Sequence, residues 1–578
     1  AGAVFALLRC RRVVFRSLNN ATATDLTVTQ SAGAISGTAF GIRTLNFGKG
    51  ATSITTAGAV TGINSSLGAG IIAYNATTTT DLTVTQSAGS VSGGSIGINI
   101  QNYGTGATSI GTAGTVTGTG STGISVTNGT TTTDLTVTQN AGSISGGVTG
   151  INATNSGTGT TSITTAGSVI GTSNYGISVG NNATAKDLTV SQTAGSITGA
   201  ISGITAFNNG TGSTTVTTAG TVTGGSSSGV NASNNSATTS DLTVTQVAGS
   251  ISGGSTGINV YNGDTGVTTI TTGGTVTSTA SYGVSAVNGT NAGGIIVNQT
   301  GGSVTSDAST GSGISIINNG TGATAITTAG AVTSANIGII AKNNSAANTD
   351  GITLNQAGGT ITSRQVAIEA DNYGGGATSI TVAGTVTSSN NYGVNASNGT
   401  SATDISVTQT GGSIAGSIYG IATDNTGTGA TTVTTAGLVT STNGNGIYAV
   451  NHSTATDLSI TQMAGSITGA TGGILAYDYG TGATTISTAG TVSGTSGDGI
   501  HATLANAANA NALTITQTAG NITGNDAIYA ENNGTGALTI TTASAVTSTN
   551  NDGIRAANTN TANTGGVTIN QTGGNITG

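Results

Sequence analysis

Acid–base chemistry in this chain would have to be built from few side chains, since its only Glu are Glu369 and Glu531 and its only His are His452 and His501. One stretch collects Arg364, Glu369 and Asp371, a cation beside two carboxylates, the kind of grouping from which a glycosidase takes its acid and its base or nucleophile. Such chemistry needs further groups converging from neighbouring segments. The remaining basic residues beyond the first twenty, Arg43, Lys49, Lys186, Lys342 and Arg555, are scattered, so the neighbours are expected to supply no support. The stretch reads as a locally variable segment, and no catalytic residue is assigned.

Eight Asp stand just before an LTVTQ-like run: Asp25, Asp81, Asp134, Asp187, Asp241, Asp350, Asp404 and Asp457. A calcium ion needs six or more oxygens around one point, and copies two structural repeats apart would lie about 10 Å from each other. They are expected to be turn residues, with no metal and no cofactor bound. Triplets such as Asn75-Ala76-Thr77 and Asn128-Gly129-Thr130 match a glycan acceptor, but a chain this rich in Asn and Thr produces them by composition. Glycines such as those of NYGTGATS precede no helix, which excludes a phosphate loop.

The elements that would position any site are set by repetition. The Gln closing each LTVTQ-like run recurs from Gln30 through Gln86, Gln139 and Gln192 to Gln571, eleven copies with gaps of 53 to 57 residues. Each copy is double. A GI-type dipeptide recurs twenty times at gaps of 25 to 30, with Ala367 and Ala527 in place of Gly, so the structural unit is roughly 27 residues. Within a unit the runs LTVTQ, GSVSG and GINIQN read as three short strands, and Leu82 and Val84 alternate with Thr83 and Thr85. Strands this short cannot bury an apolar face alone, so each must stack on its equivalent in the next unit.

The expected fold is all-β, a right-handed parallel β-helix of about 21 coils with three short strands per coil, roughly 100 Å long at about 4.8 Å per coil. Five residues after the GI position stands Asn in eighteen of twenty coils, Asp478 and Leu504 being the exceptions. Asn75, Asn102, Asn128, Asn155, Asn181 and Asn208 are accordingly expected to form a ladder of amides bonded from coil to coil. The absence of Pro fits strands that must all donate along the axis.

Residues 23–578 read as one continuous repeat domain, and residues 1–22 as an atypical basic segment, a cap or an artefact, with Arg9, Arg11, Arg12, Arg16 and the only Cys, Cys10. The chain stops within a repeat and reads as a fragment. A net charge of −8 with ten basic residues excludes a nucleic-acid stripe, and no apolar run is long enough for a membrane helix.

The outward positions of the third strand, two and four residues after the GI glycine, carry the chain's variety. Tyr74, Phe207, Tyr261, Tyr448, Tyr477 and Tyr529 lie there and form a possible binding face. The Thr-x-Thr array of the first strand, as at Thr83/Thr85, resembles the ice-binding face of some antifreeze solenoids, but Ile296, Asn298 and Asn355 break its regularity.

The DLTVTQSAGSISG-type run followed by GIIAYN or GINATN resembles the passenger regions of autotransporter adhesins of Gram-negative bacteria. The resemblance covers nearly the whole chain from about residue 23. It implies a β-helix exported and presented at the cell surface by an outer-membrane translocator barrel, which this chain lacks, and adhesion to a host-cell or bacterial surface receptor, possibly a glycan. The chain is then expected to be a monomeric, non-enzymatic extracellular domain serving as spacer and adhesive surface. A polysaccharide-acting β-helix enzyme and a structural or ice-binding solenoid are the alternatives.

Overall fold

A computed structural model describes residues 15–64, 66, 68–235 and 240–578. These residues form strands and turns with no helix, a parallel β-solenoid of about 21 coils whose strands assort into three sheets of 21. One repeat shows the plan: a first strand Leu82–Gln86, a second Ser90–Gly93 and a third Ile96–Asn102. Each pairs in parallel with its equivalents before and after. Ile110, for example, lies beside Val84 on one side and Val137 on the other. Ile98, Ile124 and Ile151 are likewise neighbours in register and fully buried.

The pattern begins earlier than the Gln spacing suggests. Phe15–Asn19 is a third strand, with Asn19 beside Asn46, and its sequence lacks the GI dipeptide that marks the others. Arg9, Cys10, Arg11 and Arg12 lie outside the described residues.

The chain divides into two units, one holding the described residues up to Thr279 with Val284–Ala292, the other Ala280–Gly283 with Gly293–Gly578. Both are built alike. In the first, Leu135, Val137 and Gln139 point inward along one strand while Thr136 and Thr138 point outward. In the second, Leu458, Ile460 and Gln462 do the same. Each fully buried aliphatic contributes on the order of 1.5–3 kcal/mol before chain entropy is charged against it. The sharp corner after the first strand is made by glycine in the left-handed region, as at Gly142 with φ +76°.

The inward polar residues explain why the repeat is double. Gln86 donates through Nε2 to the carbonyl of Gly89 in its own coil and to that of Thr115 in the next. One glutamine thus ties two coils together, and the position stacked on it is the shorter Thr112. Asp81 alternates for the same reason: its Oδ1 accepts the backbone N–H of Ala107, and Asp25, Asp134, Asp187, Asp241, Asp404 and Asp457 make the equivalent bond. These Asp are pins between coils. Asp350 departs from them, its own N–H being bonded to Asn348 Oδ1.

The asparagine column is buried and in register, Asn75, Asn102, Asn128, Asn155, Asn181 and Asn208 all being at most 1 % exposed. Its coil-to-coil link runs mainly through threonine instead of from amide to amide. Asn102 Nδ2 donates to Thr108 Oγ1 at 2.9 Å, and Thr108 Oγ1 donates to Asn128 Oδ1. In the alternate coils Leu replaces that Thr, and the amide turns to a backbone carbonyl, as Asn75 does to Asp81. Asn155, Thr161 and Asn181 repeat the bridge. Replacing Thr108 by Val leaves Asn128 Oδ1 buried without its donor. This should cost about 1–3 kcal/mol in chemical denaturation, whereas Thr85→Val, on the outer surface, should stay within about 0.5 kcal/mol.

The two exceptions compensate each other. Where Leu504 removes the acceptor that Thr484 would meet in the following coil, Asp478 supplies one in its own coil, accepting from Thr484 Oγ1 at 2.7 Å and from Gly480 N–H at 2.8 Å. Burial pushes the Asp478 carboxyl up to about 6, against the lowering effect of these two bonds. Because the folded state then holds its proton more tightly than the unfolded chain, stability should fall as pH rises from about 4 to about 6. Asp478→Asn should abolish that slope. Joined to Leu504→Asn it should recover about 1 kcal/mol more than the two single changes added together, as read by a double-mutant cycle.

Candidate functional site

Alternation along each strand leaves only the outward side chains free to vary, and the third strand uses that freedom most. In the first unit the outward aromatics form one short stack and otherwise stand singly. Tyr74 packs between Phe47 and Tyr103, with ring centroids 5.7 Å apart on each side, while Phe207 and Tyr261 stand exposed. Arg43 lies over the Phe40 ring at 5.3 Å. Phe47, Tyr74 and Tyr103 lie on successive coils, while Phe207 and Tyr261 lie on coils apart from them.

The second unit concentrates charge at one point. Backbone register sets Lys342 beside Asp371 and Ile340 beside Glu369. Lys342 Nζ reaches Glu369 at 3.3 Å and Asp371 at 2.8 Å, with both carboxylates largely covered. The expectation that neighbouring coils supply nothing is therefore corrected, because a lysine 27 residues before Glu369 in sequence is its neighbour in space. Arg364 does not join the cluster; its Nε sits 3.2 Å from the Asn390 amide oxygen in the amide orientation that satisfies both groups. Burial, and then Asp371 beside it, pushes Glu369 up to about 7, while Lys342 pulls it down. One lysine cannot neutralise two covered carboxylates.

Further along the same face, rings gather over successive coils. Tyr392, Tyr419 and Tyr448 stack nearly parallel, with centroids 5.2 and 4.7 Å apart and interplanar angles of 16° and 10°. Tyr477 then meets His501 at 5.8 Å, His501 meets Tyr529 at 4.5 Å, and Arg555 covers Tyr529 at 4.9 Å. Carboxylates border the rings: Asp424 is 2.8 Å from His452, Asp498 is 3.0 Å from His501, and Tyr529 donates its hydroxyl proton to Glu531 at 3.0 Å. Burial raises Tyr477, and the negative charge of Asp498 and Glu531 adds to the effect. Of the six residues of the binding face read from sequence, the structure brings Tyr448, Tyr477 and Tyr529 into this region and leaves Tyr74, Phe207 and Tyr261 elsewhere. Tyr392 and Tyr419 precede the strand's GI pair, so a reading confined to the two outward positions passes over them.

A cavity of about 260 Å³ opens in this region, lined among others by Asn445, Gly472, Leu475, Tyr477, Asp498 and His501. Among the described residues, no group of three or more His, Cys, Asp or Glu could hold a metal ion. No protein-family profile, curated protein or solved structure matches the chain.

The charge cluster gives a pH-dependent local stability. Since Glu369 binds its proton more tightly in the fold than at its ordinary value near 4.5, ionising it costs stability as pH rises from about 4.5 to about 7. Hydrogen exchange of the strands Ile337–Asn343 and Ile368–Asn372 should show opening easier at pH 8 than at pH 5, by on the order of 2 kcal/mol. Glu369→Gln should remove the difference; an unchanged slope in that variant would assign the dependence elsewhere.

Proposed function

We propose that this chain is a non-enzymatic, rod-like repeat domain of an autotransporter-type adhesin, displayed outside a bacterial cell, in which the coils act as spacer and the third-strand face as adhesive surface. The observation that carries the reading is the contrast within one fold. First and second strands repeat nearly the same Thr, Ser and Gly outward, while the third strand of the second unit gathers Tyr392, Tyr419, Tyr448, Tyr477, His501 and Tyr529 on one side. Half-buried aromatic rings rimmed by polar groups suit a contact surface, and aromatic residues carry much of the energy at such surfaces. Weak contacts repeated along a spacer reinforce one another through effective concentration.

The Lys342, Glu369 and Asp371 cluster favours a second reading, a polysaccharide-acting enzyme in which Glu369, raised toward neutrality, serves as acid beside Asp371. The cavity weighs against it, because it opens at Gly472 and is not lined by either carboxylate.

Purified chain should bind host or bacterial cells saturably, and replacing Tyr448, Tyr477 and Tyr529 together by Ser should lower that binding at least tenfold without changing the melting temperature by more than a few degrees. Polysaccharide degradation lost on Glu369→Gln would replace this reading with the enzyme. Thermal hysteresis in ice-growth measurements would replace it with an ice-binding solenoid.

A further inference from the structure

The residue just before the GI-type glycine forms its own column, which runs Tyr392, Tyr419, Asn445, Gly472, Asp498. Register places Tyr419 beside Asn445 and Asn445 beside Gly472. A glycine amid large and polar side chains leaves a notch, and the cavity of about 260 Å³ occupies it. A Cβ on Gly472 would stand 2.7 Å from Asn445 Oδ1, so even a methyl group intrudes on the cavity wall.

We propose that this notch binds one neutral pyranose ring, the terminal unit of an uncharged glycan; the inference names a ligand class for the adhesive face and rests on that reading. The volume lies below the roughly 300–1,000 Å³ of pockets for drug-sized ligands, which suits a single ring. The lining has the two characters a sugar presents. Tyr477 and His501, inclined at 57° to each other, and Leu475 offer apolar surface to the C–H face of the ring. Asn445 and Asp498 offer polar groups to its hydroxyls.

The disposition of those polar groups separates a sugar from a cation. Asn445 Oδ1 already accepts from Thr471 Oγ1 at 3.0 Å, while its Nδ2 donates to nothing among the described residues. Asp498 accepts from His501 at Oδ2 and from the Asp526 N–H at Oδ1, which leaves each oxygen one further lone pair. The notch therefore presents a donor and acceptors together. Hydroxyls both donate and accept, whereas an ammonium or guanidinium only donates and would face the Asn445 N–H₂ unmatched. Anionic sugars meet the opposite difficulty, since over residues 419–558 the third strands and the turns before them carry Asp424, Asp498, Asp526, Glu531 and Asp552 against one Lys or Arg, Arg555.

The test is an array of neutral, sialylated and uronate-bearing glycans probed with the full chain, followed by titration of the methyl glycoside of the best neutral terminal sugar, with oligolysine as the competing probe. A neutral glycan should bind, the methyl glycoside with a Kd on the order of 1 mM. Gly472→Ala and Tyr477→Leu should each weaken it at least tenfold while retaining the circular dichroism and melting temperature of the parent, and Tyr261→Ala should change it less than twofold. Absence of neutral-glycan binding up to roughly ten times that concentration, undiminished binding by both folded notch variants, or binding confined to oligolysine or to anionic glycans would overturn the proposal. Cell adhesion that survives Gly472→Ala would remove the notch and keep the adhesive role. Sugar binding with no cell adhesion would keep the notch and remove that role.

Discussion

Within each unit the described strands find their hydrogen-bond partners in another coil, so a coil is not stable alone and persists because each repeat presents to its neighbour the same row of N–H and C=O groups it receives. That constraint is strict inside. A buried Leu, Ile or Val must sit above its equivalent, and a buried Asn or Gln must reach a carbonyl or hydroxyl in its own coil or the next. Gln86 and Asp81 each bridge two coils, which is why they appear once in two coils, and the shorter Thr112 takes the place beside Gln86.

The same constraint leaves the outside free. Outward side chains on neighbouring coils stand about 4.8 Å apart, close enough for rings to stack and for ion pairs to form between residues distant in sequence. The stacking of Tyr419 on Tyr448 and the reach of Lys342 to Asp371 are both products of that spacing. A solenoid thus builds a composite surface by changing one residue per coil, without a loop or insertion, and the aromatic and acidic region of the second unit is such a surface.

The buried exceptions show how local the tolerance is. Leu504 forfeits a ladder acceptor, and the loss is met in the preceding coil, where Asp478 takes the hydroxyl of Thr484 at the cost of a buried carboxyl whose pKa burial pushes up to about 6. A substitution inside is answered one coil away. Outside, Phe207 and Tyr261 simply stand exposed.

The fold was largely legible in the sequence, because a period of roughly 27 residues with aliphatics at every second place admits stacked parallel strands and little else. Sequence alone also placed the Asn column at a corner and marked the third strand as the variable one. It could not show that threonine hydroxyls carry the ladder, since a bridge between Asn102, Thr108 and Asn128 depends on two coils being brought to hydrogen-bond distance. The first coil escaped because Phe15–Asn19 follows no GI pair. The candidate site was the least legible part: Lys342 joins Glu369 and Asp371, and Gly472 opens a notch between Asn445 and Asp498, only through the register of neighbouring coils. Periodicity determines which residues face outward, a property of each strand by itself; which of them meet is a property of coil against coil, and the tertiary structure alone decided it.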